Sequence, residues 1–399
     1  MDVKQIYAMM NTITGEILGK TDLVAEDLGN IVDVGTEIFN ANAVDAYVRS
    51  LVNHIGKVIF VDRVYAGSAP SVVMDGWQFG SILEKVTSDQ LPEAVENESW
   101  ELQDGQSYDP HVFHAPHVSA KFYNKRVTFE IEMSFTEMQV KQSFSSVMQL
   151  NGFISMIQTS VANSMTVKLD SLVERTINKV ISDTIYDDYK DAVGAIDPTD
   201  LPLSSGIKAV NLLYLYNTEQ AALIGASYVP LTAAQAVKDP GFIRYAAYTI
   251  GLYKDRLAKM STLFNIGGKE RFTPADALHV VLLSEFRRAA DVFLQSDTFH
   301  DEYTKIVDSE VVPYWQGSGQ SYAFADTSSV IYKLGESSSI TYSGILGIMF
   351  DRNALGVANM DRRVTTSYNP KGEFFNNFYK MDAGYFVDGN ENAVVFFVA

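Results

Sequence analysis

The longest regular pattern in the chain lies between Ser134 and about Ile185. Phe144, Val147, Leu150, Ile154, Ile157, Val161, Met165, Leu169, Leu172, Ile177 and Val180 recur there at steps of three to five residues. This spacing keeps one face of a 3.6-residue period apolar and predicts a helix far longer than an ordinary globular one. Unbroken, it would extend about 75 Å at the α-helical rise. Ser134 and Glu137 have the spacing of a capping box at its start. Asn151-Gly152 and Asn163-Ser164 are places where it could bend, and two or three consecutive core helices are the alternative to one long element.

Around this element the pattern changes character several times. Residues 1 to about 40 are polar and acidic, with few apolar positions (Ile6, Ile17, Leu18, Leu23), and predict a loosely structured arm whose partner lies elsewhere. From Ala41 a helical stripe of Val44, Tyr47, Val48, Leu51 and Val52 runs toward Gly56, followed by a β-rich run at 57–65. Between Gly67 and Asn124 there is little helical periodicity, many turn residues and an acidic middle. The far limb is strand-like and feeds the long helix, so the stretch predicts a projecting hairpin that rests on something outside its own subunit. A Gly/Pro-rich boundary follows at 191–202. Helical patterns at 207–226, 240–262 and 274–295, with a β-rich run at 340–350, then predict a separate α/β domain. The last forty residues alternate aromatic strand-like runs with turns at Asn369-Pro370-Lys371-Gly372 and Asp388-Gly389-Asn390.

Composition narrows the classes. A chain of 399 residues that is 47% hydrophobic can bury large cores, with two to three domains as the prior. Its net charge of −18, from 31 basic and 49 acidic residues, repels nucleic acid and anionic lipid, which excludes a sequence-reading nucleic-acid binder. No run approaches a membrane span and no leader pattern opens the chain, so synthesis and folding in a cytosol are expected. The absence of cysteine removes disulfides, thiolate metal sites and cysteine nucleophiles together.

Three stretches carry a resemblance to a known family: AspAlaTyrValArgSerLeuValAsnHisIleGlyLysValIlePhe (45–60), the helix-entering stretch from His117 to Phe144, and the tail from Phe350 to Val398. In these and in the order of its elements the chain resembles the tailed-phage major capsid proteins of the Hong Kong 97 fold, most closely those of small short-tailed phages of the phi-twenty-nine type. The resemblance implies an α+β fold with an N-terminal arm and first helix (1–56) and an extended β-hairpin loop (57–130). It also implies a peripheral domain with a long spine helix and sheet (131–204), an axial α/β domain (205–358), and C-terminal strands returning to the peripheral domain (359–399). As partners it implies other copies of the chain in pentamers and hexamers, a separate scaffolding protein, a portal protein and enclosed double-stranded DNA. An encapsulin-like nanocompartment shares the fold and stays open as an alternative at this point.

Candidate chemistry is sparse. His111, His114 and His117 form the one metal-like cluster, yet on a strand 111 and 117 share a face while 114 points away, and Pro116 limits pairing. They remain weak metal candidates, the basis of a competing metal-dependent hydrolase, or pH sensors at a subunit contact. AsnIleGlyGlyLysGlu (265–270) lacks the first glycine and the Ser/Thr of a phosphate loop, and no serine stands in a nucleophile elbow. No enzyme activity and no cofactor is expected. GlySerGlyGlnSer (317–321) predicts a loop anchored by Trp315. The sharpest basic pairs, Lys125-Arg126 and Arg362-Arg363, are candidates to meet the acidic limb holding Glu93, Glu96 and Glu98 on a neighbouring subunit, and pairing within one subunit is the alternative.

Overall fold

Two sheets and one helix carry the architecture. The computed structural model describes residues 3–20, 24–25, 29–40, 46–47, 50, 71–74, 83–88, 96, 101–105, 107, 111, 113, 115, 118–145, 147–190, 204–295, 306–316, 321–333 and 339–399. A four-stranded sheet runs, edge to edge, β1 (Val73–Met74), β11 (Leu355–Asn369), β12 (Phe374–Val387), β4 (Arg126–Thr136). Its three long strands are antiparallel, and β1 runs parallel to β11. A five-stranded sheet runs β5 (Ala209–Asn211), β13 (Ala393–Phe397), β10 (Ile345–Asp351), β6 (Leu278–Leu283), β7 (Glu310–Val312). Two ribbons stand apart, β2 (Leu83–Ser88) with β3 (Val118–Tyr123), and β8 (Val330–Lys333) with β9 (Ser339–Tyr342).

The long stripe forms one uninterrupted helix, α4 (Val147–Tyr189), of 43 residues, about 65 Å at the α-helical rise. Asn151-Gly152 and Asn163-Ser164 lie inside it without breaking it. The break falls earlier, between α4 and a short helix α3 (Glu137–Ser143). The capping box is shifted from Ser134/Glu137 to Thr136/Gln139: Gln139 N donates to Thr136 Oγ1 at 3.2 Å and Thr136 N to Gln139 Oε1 at 3.0 Å. Both pairs satisfy the pattern, and the sheet decides between them. Pairing of β4 with β12 continues to Thr136 opposite Phe374, so Ser134 is still in the strand, where its hydroxyl donates to Asn376 Oδ1.

Each half of α4 enters a different core. Leu150, Ile154, Ile157, Val161 and Met165 pack with Phe135, Phe375 and Tyr379 of the four-stranded sheet and with the N-terminal segment. That segment differs from the expected loose arm. It forms α1 (Val3–Leu18) and α2 (Ile31–Asn40), whose Met10, Ile13, Val34 and Ile38 are buried in the same cluster. Tyr7, Met10, Ile13 and Ile17 recur at three- and four-residue steps, which suffices for a helix stripe once a partner surface lies beside it. At Gly35 a Cβ would come 2.8 Å from that of Phe144, so glycine lets α2 lie directly on the chain leaving α3. The second half of α4, from Leu172 to Tyr189, packs on the other core with β8, β9, β10 and β13. Asn178 Nδ2 ties it to the carbonyl of Trp315, whose indole donates to Ile345 O at 2.9 Å.

The five-stranded sheet is covered on both faces. Ala393, Val395 and Phe397 point to the α4 side. Val394, Phe396 and Val398 point to the opposite core, which is closed by α5 (Leu212–Ile224), the one-turn α6 (Ala233–Ala236), α7 (Pro240–Leu257) and α8 (Ser284–Gln295). Burial on both sides explains why β6, β10 and β13 read as continuous apolar runs rather than alternating ones. It also explains two departures from expectation. The run at 274–295 divides into β6 and α8, because the four consecutive apolar residues Val280–Leu283 carry no period that separates strand from helix. In the tail, β11 and β12 join β4, but β13 leaves them and inserts between β5 and β10.

Candidate assembly interface

The ribbon of β2 and β3 has its faces inverted relative to an ordinary surface hairpin. Leu83, Lys85, Thr87, Ser119, Lys121 and Tyr123 are half-buried on the face toward the body, which is mainly polar. Val86 (62% exposed), Val118 (60%), Phe122 (64%) and Ala120 face outward. A two-stranded ribbon in water normally packs its apolar side inward, so among the described residues this arrangement leaves an apolar strip exposed.

The polar side is held by ions. Lys85 Nζ donates to Asp388 Oδ2 at 2.8 Å, Glu391 Oε1 at 2.7 Å and Asn353 O at 3.1 Å, while Lys121 Nζ donates to Asp388 Oδ1 at 2.8 Å. Burial alone would raise the Asp388 carboxyl, but the hydrogen bonds from Lys121 and Lys85 outweigh it and hold its pKa at about 2. These four residues were not singled out as a group from the sequence. The available signal was a lysine on the non-apolar side of each ribbon strand and an acidic turn between the last two strands.

A second surface, exposed among the described residues, lies along α4. From Gln142 to Val167, 26 residues contain no Asp, Glu, Lys or Arg, in a chain that is 20% charged. The exposed face of that stretch is Met148, Gln149, Gly152, Ser155, Met156, Thr159, Ser160, Asn163, Ser164 and Val167. Glycine, serine, threonine and asparagine are poor residues for the solvent face of a helix. A groove of about 580 Å³ runs beside Gln142, Gly152, Phe153 and Met156.

The candidate residues singled out from the sequence fall as follows. Arg363 makes a two-pronged contact with Asp382 of the same chain (Nη1 to Oδ2 2.8 Å, Nη2 to Oδ1 3.4 Å), and Thr128 Oγ1 donates to the same carboxylate at 2.6 Å. Burial would raise that carboxyl, but the Arg363 and Thr128 hydrogen bonds and the charge of Arg126 hold it below the usual range. Arg126 and Arg363 are thus brought together around Asp382. Arg362 is half-buried in β11, and Lys125 is exposed in the β3–β4 turn. Glu96 and His111 are exposed, while Glu93, Glu98, His114 and His117 lie outside the described residues. Glu130 pairs across strands with Lys380 at 3.2 Å.

Among the described residues no group of three His, Cys, Asp or Glu side chains is placed to hold a metal. A chain of Ser71, Glu310 and His279 exists, with Ser71 N donating to Glu310 Oε2 at 2.7 Å and His279 Nδ1 lying 3.9 Å from Oε1. The carboxylate sits between serine and histidine, so the imidazole has no contact through which to activate the hydroxyl. Among the described residues no helix is long and apolar enough to cross a membrane.

A three-core body with an outward apolar ribbon and a charge-free helix face has the character of a self-assembling structural subunit. The family described as Phi29-like phage major capsid protein matches residues 8–397, and the chain belongs to it. Its fold is similar to that in the capsid of Staphylococcus phage Andhra (9% identity, 82% of this chain and 83% of that chain, TM-score 0.45). It is also similar to that in the capsid of the cyanophage P-SCSP1u (10%, 84% and 90%, TM-score 0.43) and in the mature capsid of bacteriophage PhiM1 (8%, 85% and 89%, TM-score 0.40). At these scores the family match alone carries the assignment. No curated protein matches the chain. The protein is a phage major capsid protein that associates with copies of itself into the virion shell.

Proposed function

We propose that the shell is built of pentamers and hexamers, assembles in the host cytoplasm with a scaffolding protein and a portal protein, encloses double-stranded DNA without sequence-specific contacts, and performs no catalysis. The observation that carries this reading is the outward apolar strip Val86, Val118 and Phe122. At roughly 25 cal/mol per Å², covering such surface is favourable, and the association cost makes a single contact weak while many contacts in a closed shell hold. The charge-free face of α4 is a surface of matching character on the next copy. A net charge of −18 supports a wall along which a polyanion slides without adhering. Lys125, Arg126 and Arg362 meet the acidic limb with Glu93, Glu96 and Glu98 of a neighbour, and Arg363 holds Asp382 within the subunit.

Negative-stain microscopy of the overexpressed chain, alone and with its scaffold, tests the reading. Closed shells are expected, and in infected cells shells containing DNA. A monomer at high concentration with scaffold present overturns it, and shells filled with an enzyme instead of DNA would favour the nanocompartment. Lys125→Glu should reduce assembly without unfolding the subunit; full assembly by this variant removes the cross-subunit pairing.

A further inference from the structure

A two-stranded ribbon joined to the body only at its ends is free to swing unless something fixes its angle. In this chain Lys85 and Lys121 are directly opposite each other in the ribbon register, and both reach the turn between β12 and β13. The side chains of Asp388 and Glu391 are 1% and 9% exposed and that of Lys85 is 17% exposed. The three contacts of Lys85 use all three of its N–H donors, and the second oxygen of Glu391 faces Arg271 Nε at 3.6 Å.

The receiving turn is itself immobilised. Asn390 N donates to Asp388 Oδ1 at 3.1 Å, and Gly267 N donates to Gly389 O at 2.9 Å. A Cβ at Gly267 would lie 2.1 Å from Asn390 Oδ1, so the 264–271 loop is wedged against the turn. Tyr123 adds a ring contact with Phe386 at 5.1 Å.

We infer that Lys85, Lys121, Asp388 and Glu391 form a latch that sets the angle of the ribbon on the free subunit before any neighbour is present. Exposed ion pairs hold little, but withdrawing both lysines here leaves Asp388 buried without a cation and Glu391 with Arg271 alone, at 3.6 Å, which resists opening. A ribbon already at its assembly angle avoids the ordering cost that a swinging one incurs at each contact. The use of the latch rests on the shell reading, but its existence does not, and it is tested on the isolated subunit.

The chain has no cysteine, so spin labels can be placed cleanly at Val86→Cys on the outer ribbon face and Leu223→Cys on α5, both strongly exposed. Double electron–electron resonance should give one narrow distance distribution in the otherwise unchanged subunit. With Lys85→Met and Lys121→Met together, the distribution should broaden at least twofold, and with arginine at both positions it should stay narrow. An unchanged width in the methionine pair overturns the latch. Should that pair not fold, Lys121→Met alone replaces it, because this lysine is 38% exposed. A measurable broadening is then expected, and a width equal to the parent overturns the latch. Failure to form shells leaves all these widths as they are and speaks only against the assembly reading.

Discussion

The two halves of α4 are one helix by backbone and two different objects by environment. From Leu172 onward the helix is enclosed by its own chain: Val173, Ile177, Ile181 and Ile185 contact both sheets, and its polar positions are answered by ions such as Lys179–Asp183 at 2.8 Å and Lys190–Asp187 at 2.7 Å. From Val147 to Val167 one face is equally buried, but the other bears no charge and is open. The second half is finished within the subunit, whereas the first has been kept neutral and small. In a protein that joins copies of itself, the poorly solvated side of a rigid rod is the face we propose a neighbouring copy covers.

The comparison can be broken at its strongest point first. Ile181→Asp places an unpaired charge between the two sheets and should cost more than about 4 kcal/mol, leaving no folded subunit by circular dichroism; a stable variant would mean that the second half is not enclosed as described. Next in size is a pH effect confined to that half, since the stretch from Gln142 to Val167 contains no ionisable side chain. Burial, with Asp170 nearby, raises the Glu174 carboxyl from 4.5 to about 7. The folded state therefore holds this proton more tightly than the unfolded chain, and stability falls as pH rises from about 4.5 through about 7. Glu174→Gln should match the parent in denaturant melts at pH 4 and exceed it by on the order of 1–2 kcal/mol at pH 8.

Gly152→Ala sharpens the contrast from the other half. An added Cβ meets nothing within 4 Å, so the subunit should gain about 0.5–1 kcal/mol by helix propensity while assembly slows if another backbone comes close there. Gain in both would argue that the face stays solvated. The smallest effect on subunit stability, within about 0.5 kcal/mol, is expected for Ser160→Lys and for its control Ser171→Lys, both exposed on α4. Sedimentation of assembly reactions should show shells lost with the first and retained with the second.

Much of the fold is legible in the chain because it depends on local periodicity. The long stripe, the turns at Asn369–Gly372 and Asp388–Asn390 and the strand-like limb before α3 all arise from spacing that any window of residues displays. What failed was wherever two local solutions had similar merit. Ser134/Glu137 and Thr136/Gln139 are equivalent boxes until β12 extends the ladder past the first. The apolar run at Val280–Leu283 fits helix or strand until two faces must be covered at once. The sparse stripe of α1 is too weak to predict a docked helix until the core that also holds Phe375 and Tyr379 takes in Met10 and Ile13.

The interface shows the same division more sharply. The sequence by itself determined that a long rod exists, that thiol chemistry is absent, and that the protein is acidic and resembles shell subunits. Tertiary structure alone decided that Lys85 and Lys121 turn inward to residues some three hundred positions away and that Val86 and Phe122 therefore turn outward. A strand's alternation divides its side chains into two sets, but only the surface it lands on chooses which set is buried.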